Sequence, residues 1–285
     1  MEWERAKTYI LLFFVLLNLF LGGLLLMERR RYSITPEREQ AIVTIMYRNN
    51  ITMDTRIQRR FTPMRIMYVS GFYYNEQDLR EIFFGDARVV RMSTQRGYVL
   101  SYEQGRLEID HGFISYDNPM GHGGEDAWLT NLSQNVAESL ADNFVQAHWT
   151  DFILDDIVEG PDWFNLTFRQ VYRGYMIHTN FIEILVTERG IIRVEMQFGQ
   201  VLGMGSERHM IAAPDEVLLT FVQRVRLHAM VSPVSVIHMD LVYLQEEGSP
   251  DPEGRYLLEP FYRVFIYGNE GNPFLINAVT NEIIN

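Results

Sequence analysis

The stretch that decides the fold is residues 181–197, FIEILVTERGIIRVEMQ. Two runs rich in isoleucine, leucine and valine, 181–187 and 191–197, are separated by the short polar segment 188–190. Aliphatic and β-branched runs of this length on either side of a glycine-containing turn are typical of an antiparallel hairpin. We therefore predict a β-hairpin here, preceded by a strand over residues 165–172.

Comparable patterns predict strands on both sides of this hairpin. The expected strands are 64–69, 89–92, 98–102, 107–109 and 113–116 before it, and 234–244, 262–267 and 275–284 after it. Gln104 and Gly105 supply a turn between two short strands, and the last strand has an interruption near Thr280. Short turns between consecutive strands indicate antiparallel sheet.

Four helices are predicted after residue 31. They begin near Thr35, Asn75, Leu129 and Pro214 and end near Asn50, Gly85, Phe144 and His228. Thr35 is a suitable N-cap because Pro36 follows it in the first turn. The third helix is predicted from apolar residues at three- and four-residue spacing, namely Leu129, Leu132, Val136, Leu140 and Phe144. Helices set against antiparallel sheet indicate an α+β fold.

The N-terminal region contains a predicted transmembrane helix. Residues 8–27 carry no charge, and twenty helical residues match a hydrocarbon core of about 30 Å. The apolar run continues directly into Glu28 and three arginines without a small-residue cleavage site, which favours an uncleaved anchor over a removed signal peptide. Basic residues flank both ends of the run, so charge alone does not set the orientation. The long C-terminal part favours a cytoplasmic N-terminus and an extracytoplasmic domain.

One face of this helix is a candidate contact site for another membrane helix. Asn18 lies in the middle of the apolar run, and Gly22 follows four residues later on the same helical face. An amide in lipid seeks a hydrogen-bond partner, and glycine allows a neighbouring backbone to approach closely. We therefore predict that Asn18 and Gly22 bind a partner helix. The alternative is that both residues are merely tolerated in a long apolar helix.

A glycine-rich stretch divides the globular part into two predicted modules. Residues 117–126 contain Pro119 and three glycines, which is typical of a linker or long loop. We expect a cytoplasmic tip and transmembrane anchor over residues 1–27 and a first α+β module over 28–117. A second α+β module, β-rich at its C-terminal end, then covers 118–285.

The composition excludes several classes of site. The chain has 285 residues, 47% of them hydrophobic, and no cysteine, so it can form a core but holds no disulfide, thiolate nucleophile or thiolate zinc site. Its formal net charge of −12 makes nucleic acid and anionic lipid headgroups poor partners. Lys7 is the only lysine and precedes the apolar run, so the globular part has no catalytic lysine. HExxH, GxSxG and P-loop motifs are absent from the sequence.

The remaining polar residues give weak candidates for a metal or catalytic site. Asp117, His122, Glu125 and Asp126 are potential metal ligands in the glycine-rich stretch, but we favour a solvated linker because their spacing is not characteristic. Asp151, Asp155 and Asp156 are interpreted as exposed carboxylates. The other histidines, His111, His148, His178, His209, His228 and His238, are scattered, and the glycines at 203 and 205 indicate a flexible loop. We therefore predict no catalytic residue, cofactor or metal.

Several segments together resemble a known family. They are the start of the chain with LNLFLG at residues 17–22, YRNNI at 47–51, YVLSYEQGRL at 98–107 and ISYDNP at 114–119. In these segments the chain resembles the YycI (WalI) branch of the YycH/YycI regulatory proteins. EPFYRV at 259–264 and INAVTNEII at 276–284 are also similar to the closing hairpin of PepSY-type modules.

The resemblance implies a Gram-positive plasma-membrane protein without an enzymatic site. Such a protein would bind a YycH-like protein and the sensor histidine kinase WalK, and so modulate a two-component system that controls cell-wall metabolism. Contacts between membrane helices matter in that family, which gives Asn18 and Gly22 a role beyond anchoring.

Two other functions stay open from the residues alone. One is a membrane-tethered cell-envelope enzyme, such as a metal-dependent hydrolase that uses the loop around His122. The other is a ligand-binding extracytoplasmic sensor with a cleft between the two modules.

Overall fold

The computed structural model describes residues 2–72, 74–110, 112–122, 129, 131–227, 233–245, 250–269 and 271–284. The side chains of residues 2, 4–6, 24–31 and 72 are not described. Within these limits the chain forms five helices and fifteen strands that are connected in one mainly antiparallel sheet. The predicted α+β class is confirmed.

Polar capping residues define where two of the helices begin. The helices are α1 (Glu2–Arg31), α2 (Pro36–Arg48), α3 (Glu76–Phe84), α4 (Gln134–His148) and α5 (Pro214–Leu227). At the start of α2 the Thr35 hydroxyl accepts a hydrogen bond from the backbone N–H of Arg38. The Asn75 side chain accepts one from the N–H of Gln77 at the start of α3, and Gly85 follows the helix with a φ of +56°. Both predicted helix starts are confirmed.

Six short strands lie in the first part of the chain. They are β1 (Ile51–Met53), β2 (Met67–Phe72), β3 (Val90–Ser93), β4 (Gly97–Tyr102), β5 (Gly105–Asp110) and β6 (Phe113–Asp117). Strands β3 to β6 pair consecutively and antiparallel, which is the predicted meander. Tyr102 pairs with Gly105 across a two-residue turn in which Glu103 has a φ of +51°.

The remaining described strands form the second part of the sheet. They are β7 (Phe152–Glu159), β8 (Trp163–Tyr172), β9 (Tyr175–Thr187), β10 (Gly190–Gln197), β11 (Gly199–Met204), β12 (Val234–Gln245), β13 (Arg255–Ile266), β14 (Phe274–Asn277) and β15 (Ile283–Ile284). The main strand order is β11-β2-β13-β12-β9-β10-β6-β5-β4-β3. The hairpin predicted over residues 181–197 is the pairing of β9 with β10.

Strand β9 joins the two sides of the sheet. Its residues Met176 and Ile177 pair in parallel with β12, whereas its C-terminal part pairs antiparallel with β10. Strand β8 pairs with β9 from end to end, with a register shift between Arg169 and Gln170, and β7 continues the sheet beyond β8. Because β9 pairs with β12 and β10 as well as with β8, the two sides form one continuous sheet.

The buried apolar side chains form two large cores on this sheet. The first core packs α2 and α5 against β2, β12 and β13, with Met46, Phe221 and Val264 at its centre. The second core packs α3 and α4 against β4 to β10, around Leu100 and Ile184. Each core takes residues from both sides of position 117. The predicted module boundary at that position stays a prediction.

The third predicted helix lies further along the chain than expected. Helix α4 buries Ala137, Ala141 and Val145, which allow it to approach the sheet closely, whereas Val136 is 36% exposed. The apolar spacing was misleading because Leu129 and Leu132 belong to the segment before the helix, although both pack against the second core. Strands β1, β7 and β11 were not predicted, since their sequences lack a clear alternation of apolar and polar residues.

The predicted membrane span over residues 8–27 lies within α1. In the described part of the chain, no helix combines the length and the apolar character that crossing a membrane requires. The predicted span is therefore not confirmed. The side chains of its last four residues, 24–27, lie outside the described residues.

We expect residues 31–285 to fold without α1. The globular part begins at Tyr32, whose carbonyl accepts a hydrogen bond from Phe61 N–H, and at Ile34, which is buried in the first core. Because one sheet connects both cores, the fragment should unfold in a single cooperative thermal transition. Differential scanning calorimetry measures this directly.

A fragment of residues 36–285 is the matched control. It loses Ile34 and the Thr35 cap, so its free energy of unfolding should be lower by about 2–4 kcal/mol. A broad transition in the 31–285 fragment would contradict the account, since α1 or a partner would then be needed to complete the fold.

Candidate functional site

The surface of α1 carries the predicted contact site. The described apolar side chains between Tyr9 and Leu21 are 38–70% exposed. Asn18 donates one amide hydrogen bond to the Phe14 carbonyl, one turn earlier, at 2.8 Å. A Cβ added at Gly22 would have no other atom within 4 Å. The Asn18 amide oxygen and the open surface at Gly22 are therefore accessible to another helix, which is the geometry that the predicted contact requires.

The structure describes two of the four metal-ligand candidates, Asp117 and His122, and each contacts other side chains. The Asp117 carboxylate pairs with the Arg193 guanidinium at 2.7 Å. His122 instead packs edge-on against the rings of Tyr116 and Phe144. Glu125 and Asp126 lie outside the described residues. Among the residues that are described, no group of three or more histidine, aspartate or glutamate side chains could hold a metal ion.

The other weak candidates either form hydrogen bonds or lie in a strand, or they fall outside the described residues. Asp151 accepts a hydrogen bond from the buried Gln170 amide at 2.5 Å, and Asn180 donates to the Gln170 oxygen at 2.6 Å. Gly203 lies in β11 and not in a flexible loop, with a φ of +140° at a register shift opposite β2. His111 and His228 lie outside the described residues.

The structure contains a buried ionic cluster that the sequence did not predict. Arg263 on β13 is 2% exposed. Its guanidinium donates two hydrogen bonds to Asp155 on β7, at 2.7 and 2.9 Å. It also donates two to Asp240 on the neighbouring β12, at 2.9 and 2.5 Å. The Asp155 side chain is only 11% exposed, so its interpretation as an exposed carboxylate was wrong.

Two further side chains complete this cluster. Arg169 on β8 lies 3.4 Å from the Asp155 carboxylate and donates a hydrogen bond to the backbone carbonyl of His178 on β9. Burial lowers the pKa of His178 to about 3, and the positive charges of Arg169 and Arg263 lower it in the same direction. The His178 ring is therefore neutral at ordinary pH and adds no third positive charge.

The charges in the cluster stabilise one another. Burial alone would raise the pKa of Asp155, but the hydrogen bonds and charge of Arg263 outweigh it and hold that pKa below its usual value. Burial would likewise lower the pKa of Arg263, but its two carboxylate partners keep that pKa above its usual value. The cluster therefore stays ionised and joins β7 and β8 to β12 and β13. Because the charged side chains of this cluster pair with one another, we interpret the cluster as a structural site.

Arg263→Met should destabilise the chain by about 3–5 kcal/mol, because Asp155 and Asp240 would lose their main buried partner. Urea denaturation of the full-length chain in mild detergent measures the change in the free energy of unfolding.

Arg193→Met is the matched control for this change. The pair of Arg193 with Asp117 has the same 2.7 Å distance, but both side chains are about half exposed, at 50% and 45%. Its loss should cost about 0–1 kcal/mol. If both substitutions cost the same, Arg263 does not hold the strands together.

Comparisons with known proteins show a solved structure with a similar fold. No protein-family model and no curated protein matches the chain. Among solved structures it is similar to an uncharacterized protein from Eubacterium rectale, with 13% identity and a TM-score of 0.56 over 82% of this chain and 90% of that one. It is also similar to the C-terminal domain of YpeB from Bacillus megaterium, with 14% identity and a TM-score of 0.41 over 74% and 93% of the two chains. The first similarity shows a shared fold alone, and the second is too distant to carry an argument.

Proposed function

We propose that the chain is a membrane-anchored, non-catalytic regulator. It binds a sensor histidine kinase of the WalK type together with a YycH-like protein, and it thereby modulates a two-component system that controls cell-wall metabolism. In this proposal the N-terminus is cytoplasmic and the α+β domain is extracytoplasmic. The protein acts by contact, without a cofactor.

The observation that carries the proposal is the apolar surface of α1. The sequence over residues 8–27 has no charge, and the described apolar side chains of this segment are exposed. Exposing this apolar surface to water costs about 25 cal/mol of free energy per Å². Insertion in a bilayer removes that cost, which supports the anchor.

The proposed partner follows from the sequence resemblance. The segments at residues 17–22, 47–51, 98–107 and 114–119 resemble the YycI branch of the YycH/YycI proteins. The first of these segments contains both Asn18 and Gly22. Because lipid tails are as apolar as leucine, association between membrane helices depends on close packing and polar contacts, and these two residues offer both.

Replacing the polar and small residues of this face should weaken kinase binding. We expect Asn18→Leu with Gly22→Leu to keep the anchor but to reduce co-purification of the kinase about tenfold. Interhelical polar contacts are worth roughly 0.6–2 kcal/mol, and about 1.4 kcal/mol corresponds to a factor of ten. The measurement is affinity purification of the tagged full-length chain from detergent-solubilised membranes, with the bound kinase quantified at equal expression.

Phe20→Leu is the matched control on the opposite side of α1. Residue 20 is two positions from both Asn18 and Gly22, which is about 200° around the helix. This variant should retain the kinase at the level of the unmodified chain. If the double variant also retains it fully, the Asn18 and Gly22 face is not the contact site and recognition lies in the α+β domain.

A further inference from the structure

The charge of the chain is distributed unevenly along the sequence. Residues 28–66, which follow the apolar run of α1, contain nine arginines and four acidic residues, so their formal net charge is +5. Residues 67–285 contain 14 basic and 31 acidic residues, which gives −17. The overall charge of −12 therefore includes a basic segment directly beside the proposed membrane anchor. Anionic lipid headgroups are poor partners for the acidic part of the chain, but they attract this segment.

Part of the basic segment is held against the end of α1. The backbone of residues 32–34, which directly follows Arg31, pairs antiparallel with that of residues 59–61. Two backbone hydrogen bonds, of 2.8 and 3.1 Å, connect the two segments. We call these two segments the basic ladder. Because paired strands lie about 4.8 Å apart, the ladder brings Arg59 and Arg60 next to the residues that follow α1.

The helix α1 determines the position of the basic ladder relative to a bilayer. The apolar run ends at Met27 and α1 continues to Arg31, so the helix extends at most about 6 Å beyond the run. The headgroup layer is about 5–8 Å deep on each side of the hydrocarbon core. An inserted α1 therefore places the ladder at the outer boundary of the headgroups. Tyr32, which is partly exposed and packs edge-on against Phe61, is of a residue type enriched at this level.

The arginines of the ladder keep positive charge available to an external anion. Arg60 is exposed, and no described carboxylate forms an ion pair with it. Asp240 lines the same depression as Arg60, but its carboxylate is already paired with Arg263. Arg59 forms one ion pair, from its Nε to Glu39 at 2.5 Å, and 58% of its side chain stays exposed. Both guanidinium groups are therefore accessible from outside the domain.

We propose that the basic ladder docks onto the phosphate groups of anionic phospholipids in the bilayer that α1 enters. Arg59 and Arg60 pair with lipid phosphates, and the positive charges of residues 29–31 add to the attraction. Arginine suits this role because its planar guanidinium donates two parallel hydrogen bonds to a phosphate. The proposal rests on the membrane anchor proposed above, and it adds the class of lipid that the anchored domain recognises.

The docking also gives a reason for the basic residues after the apolar run. Loops with an excess of arginine and lysine usually lie on the cytoplasmic side, whereas the proposed orientation places residues 29–31 on the outer side. Contact with anionic headgroups stabilises these charges on either side of the bilayer.

The test uses the full-length chain reconstituted in lipid vesicles. The chain has no cysteine, so Gln58→Cys, at an exposed position directly before the second segment of the ladder, provides a single site for a fluorescent label. The vesicles contain phosphatidylcholine, a trace of lipid with a nitroxide quencher on its headgroup, and phosphatidylglycerol from zero to about one half. We expect quenching to rise with the phosphatidylglycerol fraction and to fall again when added salt screens the charges.

Two double variants with the same loss of charge separate the ladder from a general charge effect. Each arginine near an anionic surface contributes about a factor of five, so Arg59→Gln with Arg60→Gln should weaken docking at least fivefold. Arg88→Gln with Arg96→Gln is the matched control and should leave docking unchanged. Both control residues are exposed and flank β3, six strand positions from β12, whereas Arg60 lies beside β12. Thermal unfolding confirms that both variants fold.

Flotation of the chain with pure phosphatidylcholine vesicles reports the anchor by itself, since these vesicles carry no anionic headgroup. Loss of flotation would overturn the anchor together with the docking. Flotation with quenching that does not depend on phosphatidylglycerol would overturn the docking alone and would leave the ladder for an acidic protein segment. Equal weakening by the two double variants would also overturn it. A change of label fluorescence on adding inorganic phosphate to phosphatidylcholine vesicles would assign the arginines to a soluble anion and contradict lipid docking.

Discussion

The guanidinium of Arg263 lies between two carboxylates, and the arrangement of the sheet depends on that position. Asp240 is on the adjacent strand β12, whereas Asp155 is on β7, which pairs only with β8 among the described strands. With an exposure of 2%, the charge of Arg263 is tolerable only while both partners are present. The ion pairs therefore add a directional link between β7 and β13, in addition to the pairing that β9 provides.

The elements that could be predicted from the sequence are those that depend on neighbouring residues. The cap at Asn75, the stop at Gly85 and the hairpin over residues 181–197 each depend on interactions within a few positions. The contact of Asp155 with Arg263 spans 108 positions, and no local pattern indicates it. Helix α4 was misplaced for a related reason, since apolar spacing does not distinguish helical leucines from leucines that pack before a helix.

The candidate sites also differ in whether they depend on neighbouring residues or on contacts between distant parts of the chain. Asn18 and Gly22 stay a prediction, which the sequence allows because they interrupt an apolar run, and their exposure depends on α1 alone. His122 was only a weak metal-ligand candidate in the sequence, and in the structure its ring packs against the rings of Tyr116 and Phe83. The chemistry of a site that is built from several elements can therefore be inferred only once the fold is known.

The central claim is that α1 anchors the chain in a membrane with the α+β domain on the outer side. The most direct measurement is protease digestion of intact protoplasts that carry the full-length chain, compared with digestion after lysis. The account predicts that the domain is digested in intact protoplasts while a fragment containing α1 stays with the membrane. Complete protection of the domain until lysis would contradict it and would reverse the proposed orientation.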